Sequence, residues 1–267
     1  MADFPRNPLE KDGYILEFND DFDDIALDTE KWVPYYLPQW SSREQSRPRY
    51  TLADSALVLQ IEANQPPWCP EFDGDVKVSS IQTGLFAGPV GSRIGQHQFK
   101  PNLVVREAQP TIRTYTPQYG YFEARVKTDN RPGSMAALWM IGFEEQPERS
   151  GEIAVFELFA NQMTAVTSEV RYGVHPWGDP TLRDAYFREV LPMDATEYHI
   201  YAIEWTPDHI DFYVDNLKRQ TVRQSVTYPM QFMLGMYELP GEGVTPQEQP
   251  RQFVIDYLRG YQPVRGY

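Results

Sequence analysis

Apolar residues in this chain alternate with polar ones far more often than they recur at helical spacing, so the pattern predicts strands. Between Tyr121 and Lys127 the even positions (Phe122, Ala124, Val126) are apolar. The odd ones (Tyr121, Glu123, Arg125, Lys127) are polar or amphipathic, as expected of a half-buried strand. Ala56–Ile61, Ile200–Trp205, Ile210–Val214 and Val254–Tyr261 are further strands rich in β-branched and aromatic residues. Asp215 and Asn216 fall between two such runs and suit a tight hairpin, because both tolerate positive φ. No long amphipathic helix, internal repeat or composition shift interrupts the pattern, which predicts one all-β unit. Segments 64–76, 85–96 and 240–250 are dense in Gly, Pro and polar residues and predict long loops of the kind that rim a binding surface.

Composition narrows the function. With 24 Lys and Arg against 38 Asp and Glu the formal charge is -14, which disfavours nucleic acid or an anionic membrane surface as partner. Cys69 is the only cysteine, so neither an intrachain disulfide nor a cysteine-based zinc site is expected. The four histidines (His97, His175, His199, His209) do not fall at metal-ligand spacing. The first eleven residues lack a basic head followed by an apolar run, and no 18-residue apolar stretch occurs, so the chain reads as soluble and unsignalled.

The segment from Ser150 to Phe159 carries the chemistry. It is a strongly apolar run interrupted by two carboxylates, Glu152 and Glu157. A carboxylate taken out of water without a partner costs several kcal/mol or changes its pKa, so acids on such a strand point to a site. In a regular strand residues i and i+5 face opposite sides. A β-bulge at Val155 or Phe156 would return Glu157 to the face shared by Glu152 and Ala154. Their Cα atoms would then stand four strand steps apart, roughly 13 Å at about 3.3 Å per step. Side chains leaning inward could bring the carboxyl groups to the ~5–5.5 Å separation used in double-displacement glycoside hydrolysis.

These residues resemble glycoside hydrolase family 16, in its bulged, laminarinase-like branch with the signature Glu-x-Asp-x-x-Glu. The resemblance spans most of the chain. It begins at Phe18-Asn19-Asp20-Asp21-Phe22 and Leu27-Asp28-Thr29-Glu30-Lys31-Trp32, and continues through Tyr119–Lys127 and Ala137-Leu138-Trp139-Met140. His199–Pro207 with Phe212–Asp215, and Ile255–Tyr261 at the end, complete the order.

The resemblance implies one domain over residues 1–267, with its core at about 14–262. It also implies a jelly-roll sandwich of two curved antiparallel sheets and a concave cleft for a polysaccharide. Glu152 matches the family nucleophile and Glu157 the acid/base. Trp139 matches a cleft tryptophan, His175 a substrate-contacting histidine, and Trp177 and Trp40 are candidate sugar platforms. The family often carries a structural calcium, and Asp256 stands at the position of its aspartate ligand; no cofactor is expected for catalysis. The family's middle acid is Ala154 here, which predicts a less firmly held Glu152 and a lower pKa at Glu157. The expected activity is a retaining endo-glycosidase on a β-linked polysaccharide, a β-1,3-glucan by default. A transglycosylase and a non-catalytic polysaccharide-binding protein of the same fold are the alternatives. A monomer is expected, and the substrate class implies an extracellular location.

Overall fold

The computed structural model describes residues 2–244 and 250–267. Sixteen strands follow in chain order: β1 (Tyr14–Asp20), β2 (Arg49–Leu52), β3 (Leu57–Ile61), β4 (Lys77–Gln82), β5 (Gly84–Leu85), β6 (Ile112–Arg113), β7 (Gly120–Thr128) and β8 (Ser134–Gly142). After them come β9 (Glu152–Phe159), β10 (Ser168–His175), β11 (Ala185–Leu191), β12 (His199–Trp205), β13 (Ile210–Val214), β14 (Leu217–Val222), β15 (Met230–Glu238) and β16 (Arg251–Pro263). The five strands expected from alternation are all present, β3, β7, β12, β13 and β16 among them. Asp215 and Asn216 take the positive φ values of 51° and 64° that a tight hairpin between β13 and β14 demands.

Two large antiparallel sheets make a jelly-roll sandwich. The eight-stranded sheet runs β14-β13-β12-β7-β16-β3-β2 with β1 also paired to β16, and the six-stranded sheet runs β11-β10-β9-β8-β15-β4. Phe122, Ala124 and Val126 from β7 meet Leu138 and Met140 from β8, Ile153 and Phe156 from β9, and Phe232 and Leu234 from β15 in the main core. This is the hydrophobic burial that holds the sheets together.

Both sheets are covered on their second faces too. Behind the six-stranded sheet, Ala137, Trp139, Ile141, Met233 and Tyr237 pack against Tyr36, Leu37, Trp40 and Trp68 from the long loops. That second core explains why β8 is apolar at nearly every position instead of alternating. On the eight-stranded sheet, the polar face of β7 lies under the N-terminal arm. Arg125 Nε donates to Phe4 O at 2.9 Å, Arg259 to Asn7 O at 2.9 Å and the Tyr261 hydroxyl to Leu9 O at 3.1 Å. The expected half-buried strand is therefore buried on both sides. Among the described residues no helix is long and apolar enough to cross a membrane.

The segments expected as loops behave unequally. Segment 64–76 includes a single helical turn, α1 (Pro70–Asp73), and brings Trp68, Asp73 and Val76 to the cleft. Segment 85–96 lies against Trp40 and leads directly to His97, which reaches the cleft. Segment 240–250 falls partly outside the described residues, but Leu239 just before it lines the cleft.

Candidate active site

The site starts from an irregularity in β9. Against β8, Glu157 pairs with Ala137, Phe156 with Leu138 and then Ala154 with Trp139, so Val155 is the extra residue. Against β10, Glu157 pairs with Arg171 and Ala154 with Gly173, one residue fewer on the β10 side. This is the bulge that the spacing of the two acids requires. Gly173 has φ 149°, and a Cβ there would lie 2.2 Å from Ala185 O, so the strand opposite the bulge depends on a residue without a side chain. Glu152 and Glu157 consequently line one cleft, a cavity of about 530 Å³.

The surroundings of the pair are aromatic and tight. Trp177 Nε1 donates to Glu152 Oε2 at 2.7 Å, and the Tyr186 hydroxyl donates to Glu157 Oε2. Burial first, and then the negative charge of Glu157, push the Glu152 carboxyl up to about 8, while the Trp177 hydrogen bond pulls the other way. Burial likewise raises Glu157, against the Tyr186 hydrogen bond and the nearby His175, Arg171 and Arg188. Beside Ala154, the hydrogen bond from Trp177 holds Glu152, and burial keeps the Glu157 carboxyl above its ordinary value.

Trp139 and His175 line the same cleft. Trp139 donates Nε1 to the Tyr237 hydroxyl at 2.9 Å, which fixes the plane of its ring. His175 stands opposite Glu152 in the β9–β10 register, contacts Asp184 Oδ1 through Nδ1 at 2.6 Å and lies tilted against Tyr186 with ring centroids 4.6 Å apart. Trp177 forms the rim, half-exposed.

Two expected assignments are corrected. Trp40 is 0% exposed: its ring belongs to the second core and its Nε1 donates to Gln96 O at 2.8 Å, so it supports the cleft from behind and offers no platform. Asp256 sits at a register break in β16, where Arg125 Nη1 donates to its Oδ2 at 2.8 Å and Arg6 Nε pairs with it at 3.1 Å. Two guanidinium groups satisfy this carboxylate, and a calcium ion beside it would face both positive charges. These residues do not fit a calcium ligand set.

Several cleft residues carry no mark in the sequence. Tyr36, Trp68 and Tyr237 form a file of edge-on rings, with centroids 4.6 Å apart for Tyr36 and Trp68 and 5.6 Å for Tyr36 and Tyr237. Asp73 closes its far end, accepts from Trp68 Nε1 at 2.8 Å and has its carboxyl raised by burial. His97, at φ 54°, sets its ring edge-on to Trp139 at 4.9 Å and to Trp177 at 4.7 Å. Burial, then the nearby His175, drives its imidazole down to about 3, so it is neutral. Its backbone N–H donates to Glu144 Oε1 at 2.6 Å, and Glu144 is raised by burial to about 8. Among the described residues lining the cleft are three carboxylates (Glu152, Glu157, Asp73) and no Lys or Arg.

Residues 104–259 match the model of the glycosyl hydrolases family 16. The chain belongs to that family. Among similar proteins, a beta-glucanase of Rhodothermus marinus is 30% identical over 166 residues, 54% of this chain and 57% of that protein. Among solved structures, a GlcNAcα1-4Gal releasing endo-β-galactosidase from Clostridium perfringens superposes with a TM-score of 0.88 at 35% identity, covering 100% of this chain and 66% of that one. A laminarinase from Flavobacterium sp. UMI-01 superposes at 0.65 with 21% identity, covering 93% and 100% of the two chains. This family 16 chain therefore spans little more than half the length of the Rhodothermus relative it matches.

Proposed function

We propose that this chain is a retaining endo-β-glycosidase acting on a neutral, galactose-containing glycan, with Glu152 as nucleophile and Glu157 as acid/base. The observation that carries the reading is the bulge at Val155, which puts two otherwise opposed glutamates into one aromatic cleft. In the first step the Glu152 carboxylate attacks the anomeric carbon while the protonated Glu157 gives its proton to the departing glycosidic oxygen. In the second, Glu157, now ionised, takes a proton from water, and that water attacks the anomeric carbon and releases Glu152. Two inversions give net retention. The raised carboxyls support this division, because a closely placed buried pair resists losing both protons and so keeps one acid and one carboxylate.

Two findings support the substrate class. Likeness to the Clostridium endo-β-galactosidase extends over the whole chain, which favours cleavage at a β-galactosyl unit. The described lining of the cleft is largely aromatic and apolar and includes no Lys or Arg to pair with sulfate, uronate or sialate groups, which favours an uncharged glycan. A second reading, cleavage of β-1,3-glucan, is favoured by the glucanase names of the curated relatives.

The test is to incubate the protein with neutral glycans ending in GlcNAcα1-4Gal, with uncharged β-galactan, with laminarin and with mixed-linkage glucan. New reducing ends are measured beside an E152Q control, and the first-formed anomer is read by proton NMR. Release from the galactose-containing glycans with the β anomer appearing first is expected. Inverted product, or full activity in E152Q, would overturn the assignment of roles. Release from laminarin alone moves the substrate to the second reading, and binding without release makes the chain a carbohydrate-binding protein.

A further inference from the structure

The loop after β10 places an indole on one of the two cleft acids, at the step where Ala154 offers neither donor nor acceptor. Building on the glycosidase reading above, we propose that Trp177 is a positioning residue, whose indole N–H orients the Glu152 carboxylate for attack. His175 is the register partner of Glu152, so Trp177 lies just two residues past the point where the strands meet. Its Nε1 reaches Glu152 Oε2 at 2.7 Å.

The loop is tied to the strand it serves. Gly178 N donates to Ser150 Oγ at 2.9 Å and Asp179 N to Pro176 O at 2.7 Å. The Tyr228 hydroxyl donates to Asp179 Oδ2 at 2.6 Å and accepts from Gly151 N at 2.7 Å. Ser150 and Gly151 directly precede Glu152, so the donor and its acceptor share one rigid frame. From the other side the ring meets the edge of His97, whose own backbone is fastened to Glu144.

Packing does not account for this placement. Trp177 is 49% exposed and its backbone has φ 45°, a conformation unfavourable for a bulky residue. What the strained, half-exposed residue gains is the bond to Glu152. Burial and Glu157 both push that carboxyl towards its protonated form, and the indole opposes them. A hydrogen bond that favours the ionised form serves a group that must attack as a carboxylate.

A plain sugar platform at this position is a different claim, and the two separate experimentally. W177F keeps an aromatic face and removes the N–H. Positioning predicts a fall in kcat of about 10–100-fold, the size of one hydrogen bond to a charged group, with KM within about twofold. The ascending limb of the pH profile moves up by about one unit as Glu152 ionises less readily. Unchanged kcat with a raised KM, or an unmoved limb, would overturn the proposal.

A second measurement needs no change at position 177. In a nitrogen-15 spectrum of the intact protein, the Trp177 indole N–H, assigned by its loss in W177F, should shift with pH as Glu152 ionises, and should stop doing so in E152Q. An indole signal that ignores pH, or that titrates identically in E152Q, refutes the hydrogen bond. This readout is independent of turnover: a wild-type protein inactive on every glycan but with a titrating indole would sink the glycosidase reading and leave the Glu152–Trp177 contact intact.

Discussion

Glu123 on the eight-stranded sheet is 2% exposed and Glu152 on the six-stranded sheet is 5% exposed, yet their company is opposite. Glu123 accepts from Asn7 Nδ2 at 2.7 Å and Tyr257 Oη at 3.1 Å, with Arg259 Nη1 at 3.8 Å. Its neighbour Asp256 is gripped by Arg125 and Arg6. Glu152 has one indole N–H and another carboxylate. The same side-chain chemistry is thus compensated where it holds the N-terminal arm to the sheet, and left under-compensated in the cleft. Burial without a matching cation is how a fold keeps a carboxyl protonatable near neutral pH, and it is a cost that structure alone gives no reason to bear.

The largest expected effect separates the two faces outright. E152Q should lower kcat by about 10⁴-fold or more without altering the unfolding midpoint at acid pH, because it removes the nucleophile and keeps the volume. E157Q should lose about 10²–10⁴-fold on a natural glycan and far less on an aryl glycoside with a good leaving group, as the need for a proton donor disappears. Comparable losses on both substrates would remove Glu157 from the acid role.

On the opposite face, Arg259→Met should cost about 1–3 kcal/mol in urea unfolding by taking the guanidinium away from Glu123 and Asp21 and its hydrogen bond away from Asn7 O, with specific activity per folded molecule unchanged. A loss of activity in the folded fraction would show that the two faces are coupled.

A smaller effect is pH-linked. Glu152 holds its proton more tightly folded, with a value of about 8 against an ordinary 4.5, so its contribution to stability is full below pH 4.5 and is lost as pH rises through 8. E152Q should therefore gain on the order of 2 kcal/mol over the wild type between pH 5 and pH 9. The wild-type activity should fall along a descending limb as Glu157, whose carboxyl burial raises above its ordinary value, loses its proton. Parallel melting curves for the two proteins across that range would contradict the burial argument.

How much of this was legible in the sequence follows from how many partners each feature needs. Strands β3, β7, β12, β13 and β16 show in alternation, because the core lies on one side and a polar or arm-covered face on the other. Strand β8 hides its period, since loops supply a second core against Trp139 and Ala137. The five-residue step from Glu152 to Glu157 was enough to require a bulge, as it is a local property of one strand. His97, Asp73, Tyr36 and Tyr237 were not legible, because separate segments converge on the cleft and none announces its destination. Trp40 and Asp256 misled for the same reason: a tryptophan in a loop suits either a platform or a core, and the arginines that claim Asp256 come from β7 and the N-terminal arm.

The supernumerary residue at Val155 also dictates how this strand can be altered over generations. Removing Val155 together with the bulge would leave the acids four positions apart on a regular strand and still on one face, whereas losing or gaining a residue with the bulge retained would turn one of them into the hydrophobic interior. What descent must preserve here is the match between count and ladder: five steps with the extra residue, or four without it, keep both acids turned to the cleft.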